Sequence, residues 1–250
     1  MLDAKFANRS NSPLRKGRNV QDGYLRGTGL EFGKTKELVY KDPLYIEAYK
    51  LAAGRTILEE NRRVNLFLLL KYYLASIPFG HIVEFGSYKG GNAIFMAYIV
   101  KQLYPGMKVY GLDTFAGMPV TDKNIDLHSQ NDFSDTSYDD LCRLTDKLKL
   151  DNLIWVKGLF EDTTPGVIAD AKQFTLAHID CDIYEAVKYS YLQVKPAMVD
   201  GGYVVFDDAT FSSCLGATEA VEEILYHQER RFAEQVYPHF VFRMFKTVES

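Results

Sequence analysis

Two acidic runs each close an apolar stretch of this chain. One is His178-Ile179-Asp180-Cys181-Asp182-Ile183-Tyr184-Glu185, and the other is Val204-Val205-Phe206-Asp207-Asp208. Carboxylates gathered in one place repel one another and raise their own pKa values. A hard divalent cation relieves that repulsion, and Mg²⁺ typically takes one or two carboxylates with waters and substrate oxygens. If the two runs lie side by side, Asp180, Asp182, Asp207 and Asp208 come together. The competing reading makes them helix caps, since each run precedes a helix and Asp182 could cap one starting at Tyr184. Capping does not explain why an apolar strand runs straight into two adjacent acids.

A second group of residues suits an adenosine-containing ligand. Val83-Glu84-Phe85-Gly86-Ser87-Tyr88-Lys89-Gly90-Gly91-Asn92 has the spacing ExGxxxGG. Glycine lets a backbone turn tightly and come close to a ligand. The dinucleotide fingerprint GxGxxG is absent, and an acid at the turn suits a cationic group better than a pyrophosphate. Farther on, Leu112-Asp113-Thr114-Phe115 ends a second apolar stretch. A carboxylate there can accept hydrogen bonds from two vicinal ribose hydroxyls. Val156-Lys157-Gly158-Leu159-Phe160 ends a third, with Phe160 placed to cover an adenine or to fill the core. The candidate cofactor residues are therefore Glu84, Gly86, Ser87, Gly90, Asp113, Thr114, Gly158 and Phe160. The plain alternative is a Gly-rich turn with no ligand. Of the histidines, His178 reads as a core group inside a strand. His81, His128, His227 and His239 have no ligand spacing, and His128 is a weak candidate for substrate contact or proton transfer.

These residues need a frame that brings strand ends together. Short apolar segments predict strands at 81–85, 108–112, 153–156, 174–179, 203–206 and 240–245. Helices are expected at 91–103, 137–148, near 165–171, at 184–199 and at 216–232, with Ser137 as an N-cap. The stretch 43–74 also reads as helical, stopped by Pro78 and Gly80. Strands alternating with helices predict an α/β, doubly wound, mostly parallel sheet with helices on both faces. A terminal hairpin would add one antiparallel strand. Ligands of such sheets bind beyond the carboxyl ends of the strands.

Composition narrows the function. The 250 residues suit one sizeable core. With 29 basic and 33 acidic residues the net charge is -4, which disfavours a nucleic-acid partner. No run of eighteen apolar residues exists, so no membrane span is expected. The first residues lack an apolar signal-peptide core, and a cytoplasmic location is the expectation. Cys142, Cys181 and Cys214 are widely spaced, without CxxC, and suit neither a disulfide framework nor a structural zinc. Residues 1–45 are rich in Gly, Arg, Lys and Asn. They form either a solvated arm or a lid, with Tyr24, Phe32, Tyr40 and Tyr45 arguing against total disorder. Leu66 to Leu74 suits either the core or a homo-oligomer interface.

From Asn65 to Glu223 the motifs, in order, resemble the TylF/MycF/NovP-type, or macrocin O-methyltransferase, family. The resemblance rests on Asn65-Leu66, Val83-Glu84-Phe85-Gly86 with Lys89-Gly90-Gly91, and Asp113-Thr114-Phe115-Ala116-Gly117-Met118-Pro119. It continues through Asp132-Phe133-Ser134, Gly158 to Thr163, Asp180-Cys181-Asp182-Ile183-Tyr184-Glu185, Gly201-Gly202 to Asp207-Asp208, and Gly216-Ala217. It implies a Rossmann-like class I methyltransferase domain over 46–250 with a seven-stranded sheet. It also implies S-adenosyl-L-methionine as cofactor, Mg²⁺ held by Asp180, Asp207 and Asp208, and a small-molecule hydroxyl as substrate, such as a sugar of a natural product. Asp182 or Asp180 would take the proton. Cys181 and Ala209 depart from the family pattern, as does Ser87-Tyr88-Lys89. The rival readings are a nucleotide-cofactor oxidoreductase, a non-catalytic adenosine-binding module and a metal-dependent hydrolase.

Overall fold

The computed structural model describes residues 35–245 and the backbone of a short antiparallel pair, Pro13–Leu14 with Arg18–Asn19. The chain falls into two units, Met1–Ile46 and Glu47–Ser250. The first unit holds the strand pair and helix α1 (Thr35–Val39). Tyr24 and Phe32 lie outside the described residues. The reading of residues 1–45 as a lid therefore rests on the sequence alone.

The second unit is built on one sheet of six strands: β1 (His81–Phe85), β2 (Val109–Asp113), β3 (Leu153–Lys157), β4 (Phe174–Ile179), β5 (Met198–Phe206) and β6 (Phe240–Met244). Their order across the sheet is 3-2-1-4-5-6. All neighbours are parallel except β5 and β6, and helices cover both faces. The central strands β1 and β4 are apolar and buried almost throughout, as strands covered on both faces must be.

The sheet has six strands, where the class I resemblance implies seven. Between Asp207 and Phe240 the chain is helical or irregular, so one strand closes the sheet. The antiparallel end strand is present, but it is not the arm of a hairpin. Helix α8 (Leu215–Val221), continued by wide turns over Glu222–Gln228, separates β6 from β5.

Other helices lie near their expected places. In α5 (Tyr138–Leu148) the Ser137 side chain accepts the Asp140 N–H, the expected N-cap. The helical stretch before the sheet is two helices, α2 (Pro43–Ala52) and α3 (Glu60–Leu68), parted at Gly54 with φ +72°. Helix α6 (Phe160–Ala171) begins five residues before Pro165, which lies within it. Helix α7 (Tyr184–Val194) ends early, in a tight turn containing Pro196. Helix α4 (Gly91–Leu103) follows β1. Leu66, Phe67, Leu69, Leu70 and Leu74 are core residues, whereas Tyr72 and Tyr73 are exposed. No described helix is long and apolar enough to cross a membrane.

Candidate active site

Strand register builds the site. Phe85 pairs with Leu112 on one side and Ile179 on the other, and Ile179 pairs with Phe206. The next residue on each strand therefore falls on one rim: Gly86, Asp113, Asp180 and Asp207. Backbone hydrogen bonds hold that rim, with Gly86 N–H donating to Leu112 O, Asp180 N–H to Phe85 O and Asp207 N–H to Ile179 O, each 2.9 Å. The chain leaves β1 toward β2 and β3, then returns to place β4 on β1's other side. The crevice between β1 and β4 is thus the topological switch point, the usual ligand position in such a sheet.

Gly86 marks that crevice. Its φ is +87°, and a Cβ there would stand 1.7 Å from the Asp180 carbonyl oxygen. Gly86→Ala is therefore expected to cost at least about 2 kcal/mol, or about 4–8 °C in Tm for a chain of this size. Thermal unfolding checks this, and an unchanged Tm would contradict the close approach of β1 and β4.

A cavity of about 580 Å³ opens along the rim, within the size range of small-molecule sites. Of the eight residues expected to hold a cofactor, Glu84, Gly86, Ser87, Asp113, Thr114 and Phe160 line it. Gly90 and Gly158 do not. Gly90 is pressed between Leu141 and Trp155, and Gly158 against Thr163, so both serve close packing around the turns. Asp180, Asp182, Asp207 and Asp208 all line the cavity.

At one end, Asp113 accepts N–H bonds from Tyr88 (2.8 Å) and Phe115 (2.7 Å). Burial nevertheless pushes its pKa up. Phe160 packs edge-on against Phe85 at 5.3 Å and also lines the cavity, so it joins core and site. Glu84 is fully buried. Ser87 Oγ donates to it at 2.7 Å and Asn92 Nδ2 at 2.6 Å, and His178 Nδ1 lies 3.3 Å away.

At the other end, Asp180, Asp207 and Asp208 each offer an oxygen within 4.8 Å of the others. Burial, then Asp207, Asp208 and Asp182, raise the Asp180 pKa well above the carboxylate range. Burial, then Asp182 and Asp207, do the same to Asp208. Asp207 differs. Burial opposes its charge, but His178 and His239 outweigh burial and hold its pKa low. Arg62, itself buried, donates to both its carboxylate and its carbonyl and stacks 3.9 Å over the Phe211 ring.

His239 Nε2 lies 2.7 Å from Asp207 Oδ1, and Asn65 Nδ2 lies 3.1 Å from His239 Nδ1. An ionised Asp207 only accepts, so Nε2 carries the proton and Asn65 donates to Nδ1. Burial disfavours charge on His178, yet Asp207 and Glu84 prevail and push its pKa up to about 9. The imidazole read from sequence as a core group therefore ties the Glu84 end of the cavity to the Asp207 end.

Asp182 sits at φ +61°, with its N–H donating to Asp208 Oδ2 at 2.9 Å. This departs from the capping role, since its side chain faces His128 and Cys214. His128 lines the cavity with its Nδ1 3.4 Å from Asp132.

Sequence reasoning missed Arg62, His178 and His239 as site residues. Arg62 and His239 lie far along the chain from Asp207, and no local spacing reveals such pairing. The available signal was that Arg62 and Asn65 stand three residues apart, hence on one face of the helix that also carries Val64, Leu66 and Phe67.

The fold is that of a ligand-binding α/β sheet, and its family comes from comparison with known proteins. The profile of the TylF macrocin-O-methyltransferase family matches residues 52–236. The chain belongs to that family. It is 26% identical over 176 residues to the 8-demethyl-8-(2,3-dimethoxy-alpha-L-rhamnosyl)-tetracenomycin-C 4'-O-methyltransferase of Streptomyces olivaceus, covering 66% of this chain and 67% of that one. It is 27% identical over 182 residues to the demethyldecarbamoylnovobiocin O-methyltransferase of Streptomyces niveus, covering 69% and 68%. Among solved structures, the O-methyltransferase NovP superposes with a TM-score of 0.67 at 22% identity, covering 89% of this chain and 98% of that one. The calicheamicin methyltransferase CalS11 superposes with a TM-score of 0.63 at 18% identity, covering 94% and 96%.

Proposed function

We propose that this protein transfers a methyl group from S-adenosyl-L-methionine to a sugar hydroxyl of a natural product, with Mg²⁺ held by Asp180, Asp207 and Asp208. The observation that carries the reading is the strand register, which sets Asp113 and the Gly86 turn on the same rim as those three acids. The two curated relatives support the substrate class, since one is named for a rhamnosyl-tetracenomycin and the other for demethyldecarbamoylnovobiocin.

The donor set fits a hard cation. It is all oxygen, it lies within one ion's reach, and two of its members are pushed toward neutrality by burial and by the neighbouring carboxylates. A divalent cation held by Asp180, Asp207 and Asp208 would supply the Lewis acidity that makes a substrate hydroxyl easier to deprotonate. His178 and His239 hold Asp207 ionised, and the Arg62 and His239 hydrogen bonds orient it, so that it needs no reorganisation.

At the donor end, Asp113 would accept from the ribose hydroxyls and Phe160 would cover the adenine. Glu84, fully buried, accepts from Ser87 and Asn92 and so positions both, and it would favour the cationic end of the donor. In the reaction the substrate oxygen forms a bond to the methyl carbon as the carbon–sulfur bond breaks, releasing S-adenosylhomocysteine. The hydroxyl proton passes to the Asp182 carboxylate, whose backbone Asp208 fixes. Alignment of oxygen, carbon and sulfur supplies much of the barrier reduction, up to ~7–11 kcal/mol in well-oriented systems.

Calorimetry with S-adenosylhomocysteine and NADH tests the cofactor. S-adenosylhomocysteine is expected to bind and NADH not to. Asp113→Ala, which removes a charge-assisted contact, is expected to weaken S-adenosylhomocysteine at least about tenfold. NADH binding in its place would favour the oxidoreductase reading.

A further inference from the structure

Beside the three-aspartate group, the cavity wall carries a second and chemically different cluster. His128 comes from the loop after β2, Asp182 from the turn after β4 and Cys214 from the residue before α8. Cys214 Sγ lies 3.7 Å from His128 Nε2 and 3.4 Å from Asp182 Oδ1, and His128 Nε2 lies 3.7 Å from Asp182 Oδ1. Zinc bound tetrahedrally to one sulfur, one imidazole nitrogen and one carboxylate oxygen sets its ligand atoms roughly 3.3–3.6 Å apart. Each observed separation is within about 0.4 Å of the ideal one.

We propose that Cys214, His128 and Asp182 bind a soft divalent transition ion, zinc foremost, and that zinc there switches methyl transfer off. The donor types separate this site from its neighbour. Thiolate and imidazole favour zinc, whereas three carboxylates favour magnesium. All three side chains line the cavity, which admits the ion and a water as fourth ligand.

The surroundings complete the design. A histidine that binds metal through one ring nitrogen usually donates its other N–H to a carboxylate. His128 Nδ1 faces Asp132 Oδ2 at 3.4 Å, and the Ser129 N–H donates to that same oxygen at 2.8 Å. The Nε2 atom is therefore the one turned toward Cys214 and Asp182. Burial, then Asp208 and Asp182, hold the Cys214 thiol protonated when no cation is near. Binding exchanges that proton for a zinc–sulfur bond with no change of oxidation state, and the proton leaves to solvent.

The switching half rests on the reading of Asp182 as the proton acceptor, because zinc occupies the same carboxylate. The binding half does not depend on it. The experiment uses the full chain saturated with Mg²⁺. Added Zn²⁺ is expected to bind at one equivalent with release of one proton, and to stop turnover. Co²⁺ in its place is expected to give a thiolate-to-cobalt charge-transfer band in the near ultraviolet. Cys214→Ser is expected to abolish the band, and both Cys214→Ser and His128→Asn to weaken zinc more than about tenfold.

Absence of the band, or equal zinc affinity in wild type and both variants, would overturn the site and place the ion elsewhere. If the band appears and zinc leaves turnover intact, the site stands. The switch then fails, and with it the role of Asp182.

Discussion

Replacing Asp180 with asparagine is expected to lower methyl transfer at least about 10²-fold, while the metal-free protein keeps or gains thermal stability. Asp180 lies among Asp207, Asp208, Asp182 and Glu84, and burial and those charges together push its pKa well up. Neutralising it removes repulsion from a fold that gains nothing from the charge unless a cation is bound. Function and stability therefore pull in opposite directions at this position, as they do where an active site stores unfavourable charge. Turnover assays and thermal unfolding with and without Mg²⁺ check both halves. Added Mg²⁺ should raise the wild-type Tm and leave that of Asp180→Asn nearly unmoved. Wild-type turnover by the variant would remove Asp180 from the site.

Asp207→Ala is expected to behave in the opposite sense, losing about 3–5 kcal/mol of stability before any question of activity arises. Its carboxylate is the counter-charge of the buried Arg62 and the hydrogen-bond acceptor of His239, with His178 3.6 Å away. Removing it leaves Arg62 in the interior with, among the described residues, Thr210 and the residue 207 backbone carbonyl as acceptors. From sequence, Asp207 and Asp208 look interchangeable, two adjacent acids after an apolar strand. The structure separates them: Asp207 pairs with the buried Arg62, whereas the Asp208 carboxylate accepts the Asp182 N–H. Denaturant unfolding of the two alanine variants, side by side, tests the distinction. Equal stabilities would show that the Arg62 pair is not structural.

The rim of the sheet was legible because its signals are local. Each apolar strand runs directly into a polar or glycine residue, and alternation with helices fixes a parallel sheet whose carboxyl ends share an edge. The order of Glu84, Asp113, Asp180 and Asp207 along the chain therefore translates into neighbours in space. The Ser137 cap was legible for the same reason.

What stayed hidden depends on long-range closure. His128, Asp182 and Cys214 carry no mutual spacing signal, and neither do Arg62, Asp207 and His239. Gly90 and Gly158 looked like ligand-facing glycines because a tight turn and a close packing contact both demand glycine. Pro165 obscured the start of α6, since a proline beyond the first turn usually marks a break. The seventh strand came with the family resemblance and not from the segments of this chain, which supply six.

The central claim is that a methyl donor and a divalent ion share one cavity, side by side. Mn²⁺ can stand in for Mg²⁺ among oxygen ligands, and its unpaired electrons broaden the magnetic resonance of nearby nuclei. The decisive measurement is the carbon resonance of S-adenosylmethionine labelled in its transferable methyl group, bound to the protein as Mn²⁺ is added. The account predicts strong broadening in the wild type and its loss in Asp180→Asn. A sharp methyl signal with both donor and Mn²⁺ bound to the wild type would contradict it.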